Sequence, residues 1–187
     1  MSNFSPVRVA VAGSAAVPGS AAVPGSEAWT EITAWTEITD AESTQSVVRI
    51  HAEDLRDGQQ QRSRLRAEAV ESGTDADSVA VFLDVEIHIA DDARTARREF
   101  AALDVPAVPG SIRYVGTPSG LAGLVADVKA AEVADGVTLI ALESGHRSLD
   151  KVAGGVVSWL EDRGVVFSSE AVLAATGTRP TTRVLAS

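Results

Sequence analysis

The sequence predicts an α/β fold, a mainly parallel sheet flanked by helices. Two observations carry that prediction: β-branched runs of strand length alternate with longer stretches of helical character, and Gly, Pro or Asp residues punctuate the boundaries. A third sets the size. At 187 residues the chain has room for one ordinary domain, and its 45% hydrophobic content is enough for a sizeable core. Only three clear strand-then-helix units follow a short opening strand, whereas a closed eight-fold barrel takes about 250 residues, so a complete barrel of ordinary size is excluded.

The opening strand is VRVAVA, Val7 to Ala12, and it ends in Gly13 and Ser14. Two exact duplications follow. AAVPGS stands at 15–20 and again at 21–26, and AWTEIT at 28–33 and again at 34–39. Each motif occurs twice, with a period far below the roughly 20–50 residues of solenoids and propellers, so these are local duplications and not a repeat architecture. Pro18, Gly19, Pro24 and Gly25 predict a turn-rich loop. The AWTEIT pair is compatible with helix, but six residues advance a helix by about 600°. Trp29 and Trp35 are therefore expected to do different jobs.

From Ser46 the pattern becomes regular. SVVRIHA predicts a strand, and DLRDGQQQRSRLRAEAVESG a charged surface helix stopped by Gly73. Val79 to Ala90 predicts a long strand, in which Val81, Leu83, Val85, Ile87 and Ile89 alternate with Phe82, Asp84, Glu86 and His88. Asp91 or Asp92 caps the next helix, ARTARREFAAL, which Pro106, Pro109 and Gly110 break. IRYVG then leads into the helix GLAGLVADVKAAEVADG, with Thr117 as its cap and Pro118 at the first helical position. The strand GVTLIAL, Gly136 to Leu142, precedes a last helix that runs from near Ser148 through Trp159 to Asp162. Val165 to Ser187 shows no clear period and is read as a tail.

Composition narrows the function classes. Sixteen Lys and Arg against 26 Asp and Glu give a formal charge of −10, which argues against nucleic acid as a partner. Without cysteine there is no disulfide framework, thiol nucleophile or cysteine zinc site. No secretory-type opening and no run of ~18 apolar residues occurs, so the expectation is a cytoplasmic protein with no membrane partner.

The stretch Ile112 to Leu142, IRYVGTPSGLAGLVADVKAAEVADGVTLIAL, resembles the closing section of the luciferase-like flavin-dependent monooxygenases. In that family a G-T-P turn starts a helix, a D-G pair follows, and the last barrel strand comes next. SVVRIHAEDL resembles the family's A-D-V-V strand, VAVFLDVEIHIADDARTARREF its next strand and helix, and VRVAVAGSAA its flavin-phosphate strand and loop. The likeness implies a partial, truncated TIM-barrel-like domain over 1–164, carrying the duplicated insertion at 15–39, and a tail at 165–187. FMN or a deazaflavin is the implied cofactor. The family's N-terminal half, which supplies the first barrel strands and much of the ring pocket, has no counterpart here.

Candidate site residues follow from position and chemistry. Gly13, Ser14 and Ala15 at a strand's carboxyl end can grip phosphate through backbone N–H groups and the Ser14 hydroxyl, matching the family's phosphate loop; an ordinary turn is the alternative. His51, followed by Glu53 and Asp54, falls on the face where barrel active sites form and is a candidate general base, against a plain helix-start cluster. His146, with Glu143 and Arg147, occupies the equivalent loop of the last unit. Arg147 there can pair with a phosphate or an acidic substrate. Asp84, Glu86 and His88 share one strand face at metal-ligand spacing, but a solvated face or a polar interface explains them better, and no metal is expected.

Two functions are therefore expected. One is a flavin-dependent monooxygenase or oxidoreductase needing a second chain to complete its pocket. The other is a non-catalytic interaction or assembly subunit of the same descent. Half a barrel exposes strand edges, so a homo-oligomer or a larger luciferase-like partner chain is expected in either case.

Overall fold

An eleven-residue strand, Val79–Ile89 (β4), organises the molecule. The computed structural model describes residues 6–13, 35–40, 43–106, 108–143 and 147–180. Strand β4 pairs in parallel with three others: Ser46–Ile50 (β3) along its first half, Ile112–Gly116 (β5) along its second, and Gly136–Ala141 (β6) across its middle. Because β6 overlaps both β3 and β5 in register, those two share β4's other edge, one after the other. Arg8–Ala12 (β1) is parallel to β6, and Trp35–Glu37 (β2) is antiparallel to β1. The path is β2-β1-β6-β4-β3, a curled half-barrel sheet.

Alternation along the strands splits the sheet into two faces. Val9, Val11, Val81, Leu83, Val85, Ile87, Val137 and Leu139 are buried on one face. They form the main core with Leu121, Val125 and Val128 of α3 (Pro118–Ala130) and with Val152, Val156, Val157 and Leu160. The last four lie on one continuous helical stretch, α4 (Arg147–Lys151), a π segment at Val152–Val156 and α5 (Val157–Glu161). Gly155 in the π segment lets that stretch approach α3, since a Cβ there would stand 2.6 Å from Pro118. α1 (Leu55–Glu71) packs on the same face, where a Cβ on Gly58 would meet Val133 at 3.0 Å and Leu83 at 3.7 Å.

Helix starts follow local chemistry. Asp54 accepts from Asp57 N at α1, Asp92 from Arg94 N and Thr95 N at α2 (Ala93–Leu103), and Thr117 from Gly120 N at α3, with Pro118 in the first helical turn. Two segments depart from the sequence reading. The second AWTEIT copy contributes strand β2 and not helix, because Trp35, Thr36 and Glu37 pair with Ala12, Val11 and Ala10. The first copy lies outside the described residues. Beyond Val165 a helix forms, α6 (Ser169–Thr176), capped by Ser168 and closed by Gly177 at φ 75°. Phe167 and Val172 join the core, which gives this short helix an apolar anchor that no sequence period announces. Among the described residues no helix is long and apolar enough to cross a membrane.

Candidate functional site

The face of the sheet away from α3 carries three rows of side chains. Nearest the amino ends, register aligns Arg8, Gly136, Phe82 and Arg49; next come Ala10, Thr138 and Asp84; then Ala12, Ile140, Glu86 and Arg113. The expected solvated or intermolecular face is corrected here. Asp84, Glu86 and His88 are only 3%, 7% and 5% exposed, and each meets an internal partner. Arg49 donates from Nε and Nη2 to the two Asp84 oxygens at 2.9 and 2.5 Å. Arg113 donates from Nε to Glu86 at 2.8 Å. His88 Nδ1 lies 2.6 Å from Glu143 Oε2 and its Nε2 3.5 Å from Glu99 of α2. Phe100 of α2 lies 6.3 Å from the His88 ring and beneath the Arg113 guanidinium, so α2 covers this end of the face.

Those pairings answer the desolvation problem, since a buried charge survives only with a close opposite charge or hydrogen bonds. The answer is incomplete in two places. Among the described residues Thr138 Oγ1 and both His88 nitrogens are buried without a hydrogen-bond partner; the contact of His88 with Glu143 is one of charge and distance, not of aligned donor and acceptor. No grouping of three or more His, Asp or Glu suited to a metal occurs among the described residues.

The carboxyl ends of β1, β6, β4 and β5 form one rim, where parallel α/β sheets place their ligands, while β3 ends farther back, with Ile50 beside Leu83 in the middle of β4. Gly13 follows β1 there, exposed, and among the described residues a Cβ on it would meet Ala175 O at 3.9 Å. Arg147 begins α4 just past the neighbouring strand β6 and is exposed. His51 follows β3, with its Nδ1 3.4 Å from Asp84 Oδ2. Glu143 accepts from Ser148 N at 2.6 Å, and Ser148 Oγ accepts from Ile89 N at 3.0 Å, which ties the β6–α4 junction to the end of β4. Ser14, Ala15 and His146 lie outside the described residues. The rim thus holds Gly13 and Arg147, with Glu143 beside His88, whereas His51 sits farther back, at the end of β3 against Asp84 in the middle of β4. Sequence spacing could not pair these, because each contact depends on the register between strands.

A different chemistry occupies the opposite rim. Asp135, 5% exposed, accepts from Arg62, Arg66 and Lys129 and from Val81 N. Burial pushes its carboxyl up, but the Arg62 hydrogen bond, the Val81 N–H and the Arg62 and Lys129 charges outweigh burial and hold it down at about 2. A cleft of about 360 Å³ opens on this side, lined by Pro6, Val7, Lys129, Leu160 and Arg163 among others. Cations and acids there are committed to holding α1, α3 and the strand starts together.

No family model matches the sequence, and no curated protein is recognisably similar to it. Solved structures do match. A long-chain alkane monooxygenase, LadA, superposes with a TM-score of 0.55 at 15% identity, over 64% of this chain and 37% of its own. A riboflavin lyase, RcaE, solved with modified FMN and riboflavin, gives 0.55 at 17% identity, over 73% of this chain and 44% of its own. The EDTA monooxygenase EmoA from Chelativorans sp. BNC1 gives 0.53 at 16% identity, over 72% and 44%. The chain has a partial TIM-barrel-like fold. At these identities the likeness is one of fold alone, and the chain spans only about two-fifths of each neighbour's length.

The described rim thus brings a glycine at the end of one strand and an arginine past the end of its neighbour to the same side of the sheet. Gly13 is exposed at the end of β1, and Arg147 is exposed at the junction that follows the adjacent strand.

Proposed function

We propose that this chain is a flavin-binding half-barrel of the luciferase-like monooxygenase and oxidoreductase type, completed by a second chain. The observation that carries the reading is the parallel half-barrel itself, which resembles two monooxygenases and an FMN-bound lyase and turns Gly13 and Arg147 onto its carboxyl rim. In this reading Gly13, Ser14 and Ala15 hold the phosphate through backbone N–H groups, and Arg147 balances its charge. His51, at the end of β3 beside the middle of β4, is the candidate proton-handling side chain, its ring steadied by Asp84, which Arg49 holds in place. His146, which follows β6 in the sequence, is the second candidate for the same role. Bound flavin would supply the redox chemistry; the chain supplies grip, orientation and a buried polar floor.

One observation favours the second reading, a non-catalytic assembly subunit of that descent. Strand β2 runs antiparallel along the outer edge of β1, where a closed parallel ring would place its next strand. A barrel cannot be completed from that side while β2 is seated. Titration with FMN and with a deazaflavin, read by visible absorbance while light scattering follows mass, separates the two readings. Stoichiometric binding supports the flavin site, and a folded protein that leaves both spectra unchanged at high micromolar concentration supports the assembly role.

A further inference from the structure

The groove along β1 is filled by a segment that the chain carries twice. Trp35 to Thr39 belong to the second AWTEIT copy, and the residues six positions earlier, Trp29 to Thr33, repeat them without change. The seated copy makes its contacts with these five residues. Glu37 accepts from Arg8 at 2.7 and 2.6 Å in a bidentate ion pair, Trp35 packs its ring 5.8 Å from Phe82, and Ile38 is fully buried. Ile38 N donates to Val9 O, Thr39 Oγ1 receives Val9 N, and Ser168 N donates to Ile38 O. Just past the motif Asp40 N donates to Val166 O, a backbone bond that Ala34 offers equally at the corresponding place.

We propose that this groove is a docking site for the AWTEIT segment as such, filled in turn by 34–39 and by 28–33 of the same chain through a shift of six residues. Trp29, Glu31, Ile32 and Thr33 then stand against Phe82, Arg8, the core and Val9 N. Chain length allows both arrangements. Residues 13–28 remain to join β1 to Trp29, where an antiparallel pair needs as few as about two, and 34–45 replace 40–45 as the connection to β3. Both copies offer the groove the same side chains, so the two registers differ mainly in loop closure, which varies slowly with length, and their populations are expected to lie within about tenfold of each other. The tethered copy is present at roughly millimolar effective concentration, so it outcompetes the same segment of another chain at micromolar protein. The β1 edge stays covered in both registers, and the shift removes six residues from the segment that follows Gly13. The inference is independent of flavin binding.

The absence of native cysteine allows a direct test on the full chain. Val11 faces Thr36 in the register described, and directly opposed residues lie within disulfide range. Val11→Cys with Thr36→Cys is therefore expected to close a disulfide within one chain, and Val11→Cys with Thr30→Cys to do the same. A pair at 11 and 30 that stays reduced under conditions that close 11 and 36, or that links two chains, overturns the proposal. Exchange of the Val9 amide gives an independent reading, because Thr39 Oγ1 is its acceptor. Ile38→Asp puts a carboxylate at a fully buried place and unseats the second copy. The protein is expected to stay folded, with Thr33 in place of Thr39 and Val9 exchanging within about tenfold of the wild-type rate. Ile32→Asp combined with Ile38→Asp leaves neither copy able to seat, and Val9 should then exchange at least about a hundredfold faster. An Ile38→Asp protein that unfolds or loses Val9 protection as far as the double variant does, or a double variant that keeps that protection, overturns the proposal.

Discussion

Asp135 stands where α1, α3 and the first residues of β4 converge, and its carboxylate receives side chains from the first two and the Val81 N–H from the third. Its folded value of about 2 lies below the ordinary 3.8, so the sign is that of a depressed acid. The stabilisation is fully present above the unfolded value and is lost as pH falls through about 2. It amounts to about 2.5 kcal/mol. Denaturant melts between pH 5 and pH 2 should show the decline, and Asp135→Asn should flatten it. The same substitution should cost about 3 kcal/mol at neutral pH, because it leaves Arg62, Arg66 and Lys129 without their shared counter-charge. A second residue-scale prediction concerns Gly136. A Cβ there would lie 2.7 Å from Arg8 O and 2.8 Å from the Phe82 ring. Gly136→Ala should therefore destabilise by about 2 kcal/mol in chemical denaturation, since the backbone of β1 cannot yield as a flexible side chain would.

At the scale of elements, β2 shows how tertiary pairing overrides local preference. The AWTEIT duplication reads as helix-compatible, yet its second copy lies along β1 because Glu37 finds Arg8 and Trp35 finds Phe82. Glu37→Gln should loosen this strap by about 2 kcal/mol, as expected for a charge-assisted hydrogen bond. Hydrogen exchange would register it as faster exchange at the Ile38 and Thr39 amides, with the α3 amides unchanged. Other elements are legible in the residues themselves. Thr117 and Pro118 mark the start of α3 by chemistry that acts within one turn, and Asp92 does the same for α2. Helix α6 is not legible in that way, since eight residues are too few to display a period, although Ser168 and Gly177 bracket it. The site divides along the same line. Gly13, His51 and Arg147 can be placed at strand ends from the sequence, because strand ends are local. That Asp84 backs His51, and Glu143 meets His88, depends on strand register and on the β6–α4 junction, which no single segment specifies.

For the whole molecule, the parallel path from β1 through β6 and β4 to β3 sets a rim of strand ends on one side and a cluster of paired charges on the other. The charged second face is closed by its own pairs and by α2, so ligand chemistry is left to the rim. The opposite rim carries a cleft of about 360 Å³ but commits Lys129 to Asp135 and stacks Arg163 on Trp159. The two ends therefore make opposite predictions for a phosphate-bearing flavin. The most direct measurement is an amide-resolved NMR titration of the uniformly 15N-labelled chain with FMN, using riboflavin, which lacks the phosphate, as the comparison. The account predicts that FMN shifts the Gly13 and Arg147 amides, and that riboflavin shifts them far less. Shifts centred on Lys129 and Arg163, or none at either rim in a folded protein, would contradict it.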